Sequence, residues 1–211
     1  MKPQSMLVCA VHARLLGINN FFDFYIKICY NYYVKRKGKR LIDMKIKGVN
    51  KLENTINKFL APFELTSCLS SDFSYEFAKD RVNFSLTVAD HASNYFQDFI
   101  HSMWEEVTID TFLISLLHEV GHAETWDDLE DEDIAYSDDM KVFIQEELAA
   151  GVTEARRKEL YFEYFNLPDE IAATTWAIEY IKDNAKQLVF DWEIISRAII
   201  EFFKTNDIDF N

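Results

Sequence analysis

The sequence predicts an α+β chain that is mostly helical, with one small antiparallel β-hairpin ahead of its central helices. Three observations carry this. Glycine and proline are scarce, five and three in 211 residues, which favours long helices over a loop-rich β architecture. Apolar residues recur at i, i+3 and i+4 through most of residues 49–211. Only in a window at 73–88 does the period drop to two. Hydrophobic residues make up 49% of the chain and aromatics 15%, the composition of a folded protein with a real core.

Charge divides the chain. Residues 1–48 hold ten Lys and Arg against two acids, a balance of +8. Subtracted from the chain's 22 basic and 36 acidic residues, that leaves 12 and 34 in residues 49–211, a balance of −22. We therefore expect a basic, aromatic-rich N-terminal extension (1–48) and one domain (49–211). The apolar run in MKPQSMLVCAVHA is too brief for a signal peptide. FFDFYIKICYNYYV is broken by Asp23 and Lys27 and too short to span a bilayer. The cluster VKRKGKR at 34–40 reads as a solvated lead-in or as a patch for a membrane surface or nucleic acid. A third reading starts the working chain at Met44. Cys9, Cys29 and Cys68 are odd in number and widely spaced, so a reducing, cytoplasmic setting is expected.

VNKLENTINKFL (49–60) has helical apolar spacing at Val49, Leu52, Ile56, Phe59 and Leu60, and Pro62 stops it. Next, Phe73, Tyr75 and Phe77 alternate, then Val82, Phe84, Leu86 and Val88, around a Lys79-Asp80 turn: a hairpin with one buried face. SNYFQDFIHSMW (93–104) reads as a short helix. Ile109, Phe112, Leu113, Leu116, Leu117 and Val120 form the stripe of another, capped by Thr108 or Asp110. The acid-rich stretch 127–139 reads as a solvated loop, followed by one long helix from about Met140 to Phe165. Pro168 suits the first turn of the next helix, and VFDWEIISRAIIEFF makes a last one.

The chemistry sits in LLHEVGH, residues 116–122. His118 and His122, four apart on a helix, lie one turn apart on one face and can converge on one metal ion. Glu119 is rotated about 100° from His118, placed to meet a metal-activated water without being a ligand. HExxH on a helix is the metalloprotease signature for that reason, with zinc as the cofactor and Glu119 as general base. Gly121 costs roughly 1 kcal/mol inside a helix, which points to close packing there. Locally the motif resembles zincin metallopeptidases.

Such a site needs a third protein ligand. Asp128, six residues after His122, is one candidate, although Thr125 stands where metzincin-like enzymes turn the chain with glycine. Glu147, beside Glu146 in QEELAAGVTEA and 25 residues after His122, resembles the gluzincin arrangement. Glu170 is the third and the preferred one. ImmA/IrrE-type metallopeptidases follow HExxH with a helix of pattern E-x-x-A-N-x-F-A, and this chain reads Glu170, Ala173, Thr174, Trp176 and Ala177. Thr replaces Asn and Trp replaces Phe. The gap of 48 residues after His122 makes the intervening helix an insertion in that resemblance. The plain alternative for Glu170 is an acidic first turn complementing the helix dipole.

The resemblance implies a zincin-like domain and a peptidase acting on a protein or peptide. An exposed strand of the hairpin could pair with an extended substrate. A donor for the scissile oxygen is expected, with Tyr136, Tyr161, Tyr164 and Tyr180 all open. His12, His91 and His101 have no spacing partner and read as surface or satisfied residues, and the four tryptophans read as packing. The acidic body repels nucleic acid and anionic membrane, so no nucleic acid is expected as a partner, and no membrane span is expected. The rival reading is a non-catalytic acidic protein, a DNA mimic or an adaptor, with a structural metal or none.

Overall fold

The computed structural model describes residues 47–70, 72–86, 91–104 and 109–206, with side chains from Tyr95 onward in the helix that begins at His91. The N-terminal extension with its basic cluster, Met44, His12, Val88 and the proposed cap Thr108 lie outside the described residues. The chain is α+β: mostly helical, with one small mixed sheet. It forms two compact units. One runs to Ala89 and resumes at Asn184, and the other is Asp90–Asp183.

In the first unit, helix α1 (Val49–Leu60) buries Leu52, Ile56 and Leu60, one residue per turn, as its spacing demands. Strands β1 (Thr66–Ser70), β2 (Ser74–Glu76) and β3 (Arg81–Ser85) form a sheet of order β1-β3-β2. β2 and β3 are the expected hairpin, pairing antiparallel with Tyr75 opposite Val82. The turn is a 3-10 segment, Phe77–Lys79, closed by Asp80 at φ 46. Val82, Phe84 and Leu86 supply the buried face, while Phe77 is exposed.

β1 is not foreseen by the sequence, and it pairs parallel to β3. Its outer edge is already taken. Asn57 Oδ1 accepts from Ser67 N at 2.5 Å and Glu53 Oε1 accepts from Leu69 N at 2.9 Å, so α1 side chains occupy the donors that another strand would use. The C-terminal run adds Leu188, Ile195, Ile199, Phe202 and Phe203 to this unit's buried set. Asn206 ties its end to Lys47, accepting from the Lys47 amide at 3.0 Å and donating to its carbonyl at 2.9 Å.

The second unit holds α2 (His91–Met103), α3 (Thr111–Thr125), α4 (Asp131–Ala150), α5 (Glu154–Phe165) and the start of α6 (Pro168–Thr205). α3 carries the predicted stripe from Phe112 to Val120, with Ile109 lying ahead of the helix, and Asp110 is its cap, the carboxylate accepting from Phe112 N at 2.9 Å. Two expectations need correction. The acid-rich stretch is not a loop beyond Glu130: α4 begins at Asp131 with Asp131, Glu132 and Asp133 in its first turn, where the helix dipole favours negative charge. The single helix of 140–165 is two, divided at Gly151, whose φ of 84 no helix accommodates, with the Thr153 hydroxyl capping α5. α6 starts at Pro168 as expected. Asn184, at φ −111 and ψ 16, interrupts it between the two helices that the sequence separates.

Candidate metal centre

α3 is buried on nearly every side. Phe112, Leu113, Ile114, Leu116, Leu117 and Val120 are all core residues, and His118 and Glu119 are each only 7% exposed beside them. Polar groups in such surroundings need partners. The partners come from α6, at the third residue of its first turn.

Close helix packing makes that possible. A Cβ built on Gly121 would lie 2.3 Å from the Ala173 carbonyl oxygen and 2.8 Å from its Cα, so only glycine lets the two backbones approach this way. Ala173 and Ala177 are themselves fully buried. One turn before Ala173, the Glu170 carboxylate reaches both imidazoles. Oε2 is 3.1 Å from His118 Nε2, and Oε1 is 3.7 Å from His122 Nε2. The two rings have centroids 4.7 Å apart and stand nearly perpendicular. One donor atom from each of His118, His122 and Glu170 lies within 4.8 Å of the others.

Thr174 decides which nitrogen of His118 faces the carboxylate. Its hydroxyl donates to the Glu170 carbonyl at 2.8 Å, so its oxygen is left to accept from His118 Nδ1–H at 3.0 Å. Nδ1 is thereby the protonated nitrogen, and Nε2 points at Glu170. A bare lone pair there would oppose a carboxylate, so the contact requires a cation between them, a proton or a metal ion. The Phe96 ring meets the His118 ring edge-on at 5.2 Å and closes its other side.

The electrostatics follow from burial and crowding. Burial pushes the His118 imidazole down, but the Glu170 hydrogen bond and charge, with Glu119, outweigh it and leave His118 raised. Burial and the neighbouring His118 push His122 down to about 4. Burial acts to raise Glu170, yet His118, His122 and Lys141 hold it well below the usual carboxylate range. Tyr164 is pushed far up by burial, then by the charge of Glu170.

Lys141 completes the cluster from α4. Its Nζ is 2.7 Å from Glu170 Oε1 and also pairs with Asp169 Oδ2. It sits over the Tyr164 ring, 5.5 Å from the centroid. Ser137, Lys141 and Ile144 recur at i, i+4 and i+7, and this is the inward stripe of a largely exposed helix. That spacing is the signal by which the lysine could have been found from sequence.

The other candidates lie elsewhere. Asp128 is exposed in the short 3-10 turn after α3, Glu146 is exposed on α4, and neither they nor half-buried Glu147 join the group. Among the four tyrosines, Tyr164 reaches Glu170, while Tyr161 packs against Tyr95 and Phe165, Tyr180 stacks on Trp176, and Tyr136 is exposed. His101 is exposed. Compared with known family models, with curated proteins and with solved structures, the chain finds no match in any of the three. Among the described residues, no helix is long and apolar enough to cross a membrane.

Proposed function

We propose that this chain is a zinc-dependent peptidase of zincin-like character, with His118, His122 and Glu170 as metal ligands and Glu119 as general base. The observation that carries the proposal is the convergence of two imidazole nitrogens and a carboxylate within 4.8 Å, with Thr174 holding the second nitrogen of His118. The donor set suits the ion. Two imidazoles and one carboxylate are a zinc set, and three protein donors leave a position for water, the count of a catalytic site. An outer partner on a ligating histidine is the normal accompaniment.

When bound, zinc supplies a Lewis acid that activates water and polarises a carbonyl. The chain's own residues do the rest. Thr174 fixes the His118 ring, and Gly121 admits the helix that carries Glu170. Glu119, one residue beyond His118 and buried beside it, takes the proton from the attacking water. The substrate class is a peptide or protein, on the local resemblance to ImmA/IrrE-type metallopeptidases, with no nucleic acid as partner and no membrane span. A reducing cytoplasmic setting fits the free Cys68.

A structural ion is the second reading, favoured by the burial of His118 and Glu170. Zinc-loaded wild type and Glu119→Gln, incubated with a peptide library and read by mass spectrometry, separate the two. The proposal expects cleavage by wild type, and equal zinc with at least about 100-fold slower cleavage by Glu119→Gln. Equal cleavage by both removes Glu119 from its role. No cleavage by zinc-loaded wild type supports the structural ion.

A further inference from the structure

Lys141 sits where a metal site ordinarily holds no cation. Its ammonium lies 2.7 Å from Glu170 Oε1, the oxygen that faces His122, and so it contacts the one carboxylate in the proposed ligand set. Without a metal ion this pairing is required, because Asp169 and Glu170 are adjacent, 4% and 3% exposed, and Glu119 is buried nearby. With a divalent ion bound, the same ammonium is a like charge to the ion and competes with it for its carboxylate ligand.

A way out is built beside it. Asp169 Oδ2 already accepts from Lys141, and Asp169 Oδ1 is buried with no hydrogen-bond partner among the described residues. Ser137 Oγ, four residues back on the same face of α4, is likewise buried and unpartnered. A buried acceptor left open is rare enough to need a reason. Lysine suits such a transfer: a flexible stem carrying three donors can leave one carboxylate and stay on another.

We propose that Lys141 is a resident counter-cation that a divalent ion must displace from Glu170, with Asp169 as the acceptor that retains it. The inference rests on the metal-site reading above. In this scheme Lys141 holds the two carboxylates in place without metal and sets how tightly metal binds. A residue that merely positioned Glu170 for the ion would have the opposite effect on affinity, since its loss would weaken binding.

The test uses the full chain and Zn2+ alone. Zinc affinity is measured by competition with a chromophoric chelator in wild type, Lys141→Met, Lys141→Gln and Lys141→Arg, alongside thermal unfolding with and without zinc. We expect Lys141→Met to bind zinc at least ten-fold more tightly than wild type, to unfold at lower temperature without metal, and to gain more from zinc. Lys141→Arg, which keeps the charge, should stay close to wild type. Should Lys141→Met fail to fold, Lys141→Gln, which retains a donor, should shift affinity in the same direction. Unchanged or weaker zinc binding in the neutral substitutions overturns the proposal while leaving the metal site standing. Zinc binding by none of the proteins removes the metal-site reading and the proposal together. Binding by Lys141→Met and Lys141→Gln alone upholds both.

Discussion

Gly121→Ala probes the contact on which the cluster depends. The new Cβ would meet the Ala173 carbonyl oxygen at 2.3 Å and its carbonyl carbon at 2.9 Å. Both are backbone atoms that no rotamer change can move aside, so α3 and α6 must separate by about 1 Å to restore ordinary contact. Overpacking of this kind costs about 1–3 kcal/mol, and a backbone clash belongs at the upper end. Alanine returns roughly 1 kcal/mol through its helix propensity, for a net loss of about 2 kcal/mol. The consequence for the site is larger. Glu170 and Thr174 flank Ala173 on the same helix, and a displacement of about 1 Å far exceeds the ±0.2 Å within which metal–ligand distances are held. Urea unfolding followed by circular dichroism reads the first effect, and zinc competition the second. The expected result is lower stability with zinc affinity reduced at least ten-fold. A Gly121→Ala protein as stable as wild type, with unchanged affinity, refutes the packing argument.

Two other predictions concern the partners of α3. Thr174→Val keeps the side-chain shape but leaves His118 Nδ1 without its acceptor, and should weaken zinc binding about 10- to 100-fold with the fold retained; affinity within about three-fold of wild type would show that Thr174 does not orient the ring. Asp110 caps α3, and burial pushes its carboxyl up to about 6 against the hydrogen bonds from Phe112 and Leu113. A carboxyl raised on folding stabilises most below its unfolded pKa, and that stability is lost as pH rises from about 4 through 6. Asp110→Asn caps equally well without the charge, so its unfolding free energy should lack this decline and exceed that of wild type by up to about 3 kcal/mol at pH 7. Urea titrations at pH 4 and 7 check it. A wild-type protein that gains stability over this range, relative to Asp110→Asn, would reverse the assigned sign.

Much of this was legible in residues whose local rule admits few alternatives. The His118–His122 spacing, the glycine between them and the alanines after Glu170 describe two closely packed helices before any coordinates are known, and the structure brings those side chains to one place. Thr174 first reads as a mismatch to the ImmA/IrrE-type pattern that the motif resembles, and it is the residue that holds His118. What escaped was non-local or masked by composition. β1 has one strongly apolar residue in five, and its parallel partner lies across β2 in sequence, so no short-range period reveals it. The acids opening α4 look like a solvated loop because charge there serves the helix dipole and not a buried face. Lys141 was hidden for a related reason: on an acidic, exposed helix a lysine reads as surface, and only the Ser137–Ile144 spacing turns it inward.

Zinc content of the purified chain, determined by elemental analysis with Glu170→Ala and Glu147→Ala as the paired substitutions, bears most directly on the centre. With Glu170 as the third ligand, about one zinc per chain is expected in wild type and in Glu147→Ala, and none in Glu170→Ala. Zinc retained by Glu170→Ala and lost from Glu147→Ala would contradict it.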